Sequence, residues 1–220
     1  MNNTKAIVFD AYGTLFDVNS AAEKCKDRIG SKWESFANYW RTTQLEYTWL
    51  RSLMKKHKDF WQITEDSLDK SMVAFKIDKS MKSELLNLYR ELSPYPEVKN
   101  VLEELNNKSF KIAILSNGTP SLLNHLVKSS NLENLFDDIF SIEEVRIYKP
   151  DPKVYDIPVN KYKVKKAEIT FLSANTWDVS GGGNYGYNSI WVNRSNNVFD
   201  NLDYKPKNEI INLEQLLDLK

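Results

Sequence analysis

The stretch Lys5-Ala-Ile-Val-Phe-Asp10-Ala-Tyr12-Gly-Thr14-Leu15 decides how the rest of the chain is read. Its apolar run is too short for a helix and has the branched and aromatic side chains of a buried strand. The run stops at an aspartate, and a Gly-Thr pair turns the chain at once. Three runs of the same kind follow, at Phe110–Leu115, Glu168–Leu172 and Ser189–Asn193, with a weaker one at Asp138–Ile142. Helical stretches separate them. Continuous apolar runs alternating with helices predict an α/β fold, a doubly wound parallel sheet covered on both faces. Thr119-Pro120 and Asp151-Pro152 support the helix starts: each sets a capping side chain before a proline at the first helical position.

The segment from about Phe16 to Ser93 has no convincing strand. Ser31-Lys-Trp-Glu34 fits a capping box. Trp33, Phe36, Trp40, Tyr47, Leu50 and Met54 then recur at helical spacing, and further helical patterns run through Glu65–Phe75 and Ser80–Leu92. Ser93-Pro94-Tyr95-Pro96 reads as a stiff connector. The first strand is thus cut off from the others by an insertion. The expected division is an α/β core of residues 1–15 and 95–220 with a helical cap of residues 16–94.

The 220 residues suffice for one substantial core. Lys+Arg and Asp+Glu both number 30, without blocks of one sign, so neither nucleic acid nor an anionic membrane is an expected partner. The lone Cys25 excludes an intrachain disulfide and a cysteine metal site. No leader-like segment or bilayer-length apolar run appears, which predicts a cytoplasmic protein.

Polar residues with chemical potential follow the strand-like runs. Asp10 follows the first; Ser116 and Asn117 follow Phe110–Leu115; Ser173, Asn175 and Asp178 follow Glu168–Leu172; Lys149 follows the weak run. Ligands of doubly wound sheets bind at the carboxyl ends of strands, so these loops should converge there. Each residue also has an ordinary reading. Asp10 suits a nucleophile or a turn aspartate, Ser116 a substrate donor or turn chemistry, Lys149 a buried countercharge or a solvated loop lysine. Asp178 suits a water-orienting carboxylate or a first-turn helix aspartate. Arg41 suits a cation over the site or a surface arginine, with Leu45 on the same helix face. The aromatics between Trp33 and Trp61 read mostly as cap core. Gly181-Gly182-Gly183 lacks the spacing and lysine of a phosphate loop, and reads as close helix–sheet packing that weakens the local helix. His57 and His125 have no partners at metal spacing.

With these residues located, the chain resembles the L-2-haloacid dehalogenases of the haloacid dehalogenase superfamily, nearly end to end. Five blocks carry the resemblance: Phe9–Val18, Gln44–Met54, Leu115–Gly118, Tyr148–Tyr155 and Ser173–Val179. Phosphatases of that superfamily carry a second aspartate two residues after the nucleophile, as a general acid, where this chain has Tyr12. A tyrosine hydroxyl, with an ordinary pKa of roughly 10, is a poor acid at neutral pH and brings no charge to hold Mg²⁺. Phosphatases also usually carry a Gly-Asp pair and a further aspartate where this chain has Ser173, Asn175 and Asp178. The chain departs from the dehalogenase pattern at Thr42, where glutamine is usual, and at Gly181–Gly183 and Asn184.

The resemblance implies a Rossmann-like core with a helical cap and hydrolysis of short L-2-haloacids to D-2-hydroxy acids. Asp10 would displace halide from the α-carbon, and water would hydrolyse the resulting ester at the Asp10 carboxyl. Arg41 and Asn117 would receive the halide. Ser116 and the backbone N–H groups around Ala11 and Tyr12 would hold the substrate carboxylate. Lys149, supported by Tyr155, would keep Asp10 ionised. Thr14, Ser173, Asn175 and Asp178 would support the nucleophile and place the water, and Tyr12, Leu45, Phe60 and Trp177 would form the apolar pocket. No metal or other cofactor is implied, and a homodimer is. The alternatives are a phosphatase or phosphotransferase on the same fold, which the Tyr12 and Ser173–Asp178 positions oppose, and a non-catalytic binding protein, which the set Asp10, Arg41, Lys149 and Asp178 opposes.

Overall fold

The computed structural model describes residues 3–108 and 110–219. The strands are β1 (Ala6–Phe9), β2 (Lys111–Ser116), β3 (Asp138–Ser141), β4 (Ile169–Ser173), β5 (Asn188–Val192) and β6 (Asn208–Ile210). They form one parallel sheet in the order β3-β2-β1-β4-β5-β6. The expected doubly wound architecture is present. β1 is central, with Phe9 paired to Ile114 on one side and Leu172 on the other. Every residue of β1 and β4 is buried, which is why these segments read as unbroken apolar runs.

Five helices lie between β1 and the Ser93-Pro94-Tyr95-Pro96 connector: α1 (Ser20–Lys24), α2 (Lys26–Ile29), α3 (Trp33–Leu53), α4 (Phe60–Phe75) and α5 (Lys82–Arg90). The remainder are α6 (Val98–Asn106), α7 (Pro120–Ser129), α8 (Pro152–Tyr162) and α9 (Thr176–Tyr185). The chain enters and leaves the inserted helices side by side. Asp17 N–H donates to Ser93 O at 2.9 Å and Tyr95 N–H to Leu15 O at 3.0 Å. The far end of the insertion is tied down too. Tyr148 N–H donates to Ser52 Oγ at 3.2 Å, and its hydroxyl donates to Lys58 O at 2.6 Å.

Thr119 and Asp151 cap α7 and α8 through their side chains, with proline following, as expected. Several local expectations need correction. Ser31 does not cap α3: the turn after Gly30 takes up Ser31 and Lys32, and α3 begins at Trp33 without a side-chain cap. α4 begins at Phe60, five residues before the pattern suggested, capped by Asp59. Leu50 and Met54 keep helical spacing but stand half exposed or more, while Phe36 and Trp40 are buried. β6 was not foreseen; it is an edge strand of three residues with only Ile210 buried, too short for a pattern. The Gly181–Gly183 run stays inside α9.

Candidate active site

Asp10 lies just past β1, at the strand where chain order reverses across the sheet. Its two carboxylate oxygens have different surroundings. Oδ2 accepts three side-chain bonds, from Asn175 Nδ2 at 2.9 Å, Thr14 Oγ1 at 3.1 Å and Ser173 Oγ at 3.4 Å. Oδ1 accepts one, from Lys149 Nζ at 3.1 Å. The donors are themselves held. Thr14 Oγ1 accepts the Ala174 N–H at 2.8 Å, Ser173 Oγ accepts the Asn175 N–H at 3.1 Å, and Asn175 Nδ2 also reaches Tyr12 O at 3.2 Å.

Lys149 is fully buried, and its ammonium lies between two carboxylates: Asp10 Oδ1, and Asp178 Oδ2 at 2.8 Å. The ring of Phe171 lies 5.0 Å below it. Tyr155 Oη donates to the other Asp178 oxygen at 2.7 Å. Burial alone pulls the Lys149 pKa down, but the charges and hydrogen bonds of Asp10 and Asp178 outweigh it and leave the pKa raised. Burial pushes the Asp178 carboxyl up to about 6, the Asp10 charge adds to this, and Lys149 opposes it. Tyr155 is held well above its ordinary range by burial and then by Asp178, so it stays a neutral donor.

Ser116 ends β2, and its Oγ accepts the Gly118 N–H at 3.1 Å, leaving its proton free to donate. Asn117 Oδ1 accepts the Lys149 N–H at 3.2 Å, which commits the carbonyl side and leaves Nδ2 for another partner. The N–H groups of Ala11 and Tyr12 take no part in the backbone turn bonds that fold residues 10–16. Tyr12 packs on Phe60 and Tyr89, with ring centroids 5.1 and 5.9 Å away. Burial drives its hydroxyl well above the ordinary tyrosine value, which makes it a still poorer acid.

The candidates on and near α3 are less directly joined. Arg41 Nη1 donates to Gln44 Oε1 at 2.8 Å, and Gln44 is fixed by Thr64 at 2.7 Å and Tyr89 at 3.0 Å. The guanidinium sits close enough to Tyr12 and Tyr89 for its charge to oppose, without overcoming, the burial that raises both hydroxyl pKa values. Leu45 is half-buried on α3, and Trp177 packs edge-on against Trp49 at 5.4 Å. Gln44 and Tyr89 were given no role from sequence, and Trp49 was read only with the aromatics between Trp33 and Trp61. Gln44, one helical turn from Arg41, was within reach of a spacing argument; Tyr89 carried no local signal.

The glycines of α9 explain how that helix approaches. A Cβ on Gly181 would come within 2.5 Å of Tyr155 Oη and 2.7 Å of Pro150 Cβ. Gly181→Ala would gain helix propensity of up to about 1 kcal/mol, but the clash should outweigh it. The expected net loss is about 1–3 kcal/mol, with Tm falling roughly 2–10 °C by calorimetry. An unchanged Tm would show that Tyr155 moves at no cost.

The donor set suits a hard divalent cation poorly. Tyr12 stands two residues after Asp10, and an ammonium fills the space between Asp10 and Asp178. Among the described residues no group of three His, Cys, Asp or Glu converges as a metal site. None of their helices is long and apolar enough to cross a membrane.

The family model of the haloacid dehalogenase-like hydrolases matches residues 4–186. The chain belongs to that family. Within it, this hydrolase is 37% identical to (S)-2-haloacid dehalogenase 4A of Burkholderia cepacia, over 100% of its own length and 96% of the relative's. It is 41% identical to (S)-2-haloacid dehalogenase 1 of Pseudomonas sp. (strain CBS-3), over 89% and 87%. Its structure matches the L-2-haloacid dehalogenase from Xanthobacter autotrophicus with chloropropionic acid covalently bound. That match has a TM-score of 0.91 at 32% identity and covers 98% of both chains.

Proposed function

We propose that this hydrolase converts short L-2-haloalkanoic acids to D-2-hydroxy acids through an ester on Asp10, with inversion. The observation that carries the reading is the asymmetry of the Asp10 carboxylate. Oδ1, with one donor, keeps a lone pair for attack on the α-carbon. The carbon–halogen bond breaks as the carbon–oxygen bond forms, and halide leaves with the electron pair. No proton is needed, so Tyr12 in place of a general acid is no handicap. In the ester, Oδ2 becomes the carbonyl oxygen. Water adds to the Asp10 carboxyl carbon and negative charge grows on Oδ2, at which the donors of Thr14, Ser173 and Asn175 already point. The bond from that carbon to Oδ1 then breaks; the hydroxy acid leaves with Oδ1 and one proton of the water, and the other proton is lost to solvent. Asp178, ionised above about pH 6, orients that water, and Lys149 holds the reacting carboxyl in place.

The other candidates take their roles from position. Ser116 Oγ and the N–H groups of Ala11 and Tyr12 bind the substrate carboxylate. Asn117 Nδ2 and Arg41 receive the halide, Arg41 swinging from Gln44. Tyr12, Leu45, Phe60 and Trp177 exclude water, which strips hydration from the nucleophile and aligns the attack. Tyr155 steadies Asp178. Residues 16–94 act as a cap over the core of residues 1–15 and 95–220. Leu50 and Leu53 on α3, Met54 just past it and Val73 on α4 are exposed apolar side chains, which supports a homodimer.

Three directions are fixed around the α-carbon: carboxylate to Ser116, halide to Arg41 and Asn117, alkyl group to the aromatic pocket. They fit one enantiomer. Halide release is expected from (S)-2-chloropropionate with (R)-lactate as product, at the same rate after exhaustive treatment with EDTA. Chiral chromatography of product and ion chromatography of chloride check this. Comparable rates on both enantiomers, retained configuration, or a Mg²⁺ requirement would reject the reading.

A further inference from the structure

Arg194 follows β5 and belongs to none of the roles above. Its side chain is 13% exposed and joins three parts of the chain. Nη2 donates to the carbonyl oxygen of Thr14 at 2.8 Å. Nη1 pairs with Glu97 Oε1 at 2.6 Å, and that oxygen also takes the Leu213 N–H at 3.3 Å. The guanidinium plane lies over Tyr95, 3.8 Å from the ring centroid. Thr14 belongs to the chain running out toward the inserted helices, whereas Tyr95 and Glu97 belong to the chain coming back. The two runs bond one another next door, through Tyr95 N–H and Leu15 O. Only a planar fork spans a carbonyl on one side and a carboxylate on the other while stacking on an aromatic face. The Thr14 hydroxyl, in turn, reaches Asp10 Oδ2.

We propose that Arg194 is a positioning residue for the dehalogenation. By holding the Thr14 carbonyl against the returning linker, it sets the Thr14 hydroxyl on Asp10 Oδ2. It touches neither substrate nor reacting atoms. The role rests on the function proposed above.

A double-mutant cycle on chloride release from (S)-2-chloropropionate tests it. Arg194→Gln should lower kcat at least about tenfold with KM changed less than about threefold. Thr14→Val has already lost the hydroxyl, so adding Arg194→Gln should lower kcat by less than about twofold more. Arg194→Lys keeps the charge for Glu97 but lacks the fork, and should behave as Arg194→Gln does. Should the glutamine variant fail to fold by circular dichroism, the lysine variant in both backgrounds carries the same test. Multiplicative losses in the double variant, or kcat of Arg194→Lys within about twofold of the parent, would overturn the role. No release by the parent would remove the proposed function along with it, whereas an active parent with multiplicative losses removes Arg194 alone.

Discussion

Asp10→Asn is expected to lower halide release by at least about a thousandfold, equivalent to ~4 kcal/mol of barrier. The amide is a far weaker nucleophile, and its nitrogen would face the Lys149 ammonium or the Asn175, Thr14 and Ser173 donors where the structure supplies only donors to an acceptor. Fold and stability should change much less than activity, because the substitution preserves shape. Isotope placement separates the two ways an aspartate can act. With excess parent enzyme in heavy-oxygen water, a single turnover should put label into the Asp10 side chain and leave the first product unlabelled. The label enters when water attacks the Asp10 carboxyl carbon, and it reaches product only in later turnovers. Peptide mass spectrometry and product mass spectrometry read both. Label in the first product with none in Asp10 would make Asp10 a general base and end the ester mechanism.

Much of this arrangement was legible because the sheet follows a rule that sequence exposes. Strand ends carry function in doubly wound sheets, and Asp10, Ser116, Asn117, Ser173 and Asn175 announce themselves as polar residues immediately after apolar runs. The Lys149–Asp178 pair was harder, since neither residue differs locally from a loop lysine or a first-turn aspartate. The strand-end rule gathered both into one region, but nothing in the sequence paired them with each other. The asymmetry of Asp10 was out of reach altogether, because which oxygen is left with one donor depends on three loops meeting to within a fraction of an ångström.

The misses have physical causes. Arg194 follows a strand like the others, but an arginine's long side chain gives no local sign of whether it points to solvent or, as here, across the linkers to Thr14 and Glu97. Tyr89 reaches Gln44, and through it Arg41, from a different helix, a relation fixed by helix packing and not by spacing. The glycine run was expected to weaken α9. The helix persists because Tyr155, Pro150, Phe171 and Tyr204 fill the space that side chains at Gly181–Gly183 would need. Packing there overrides propensity.

Lys149→Met is expected to cost about 3–5 kcal/mol of stability near pH 8. Methionine is apolar and of similar reach, so little packing is lost, and what remains is two buried carboxylates without their cation. The sign of the pH dependence separates this from a packing defect. In the parent, Asp178 titrates at about 6 against an ordinary 3.8, so its ionisation opposes folding. That opposition is absent below about pH 3.8, grows between about 4 and 6, and is full above 6. Lys149 has a raised pKa in the folded state, so its contribution is fully present below its ordinary 10.5 and constant across this window. Without it Asp178 loses its main lowering influence, and its pKa climbs beyond 6. The folded variant then takes up protons that the unfolded chain does not hold, so its stability rises as pH falls toward about 4. Urea unfolding of both proteins at about pH 8, 6 and 4.5 should show the deficit widest at the top and narrowest at the bottom. A deficit independent of pH would mean lost packing instead. Halide release by the variant should stay at least about a thousandfold down throughout, because stability regained by protonation does not return the cation that holds Asp10 Oδ1. Halide release by the variant at near the parent's rate per folded molecule at about pH 8 would make Lys149 a residue of the fold alone.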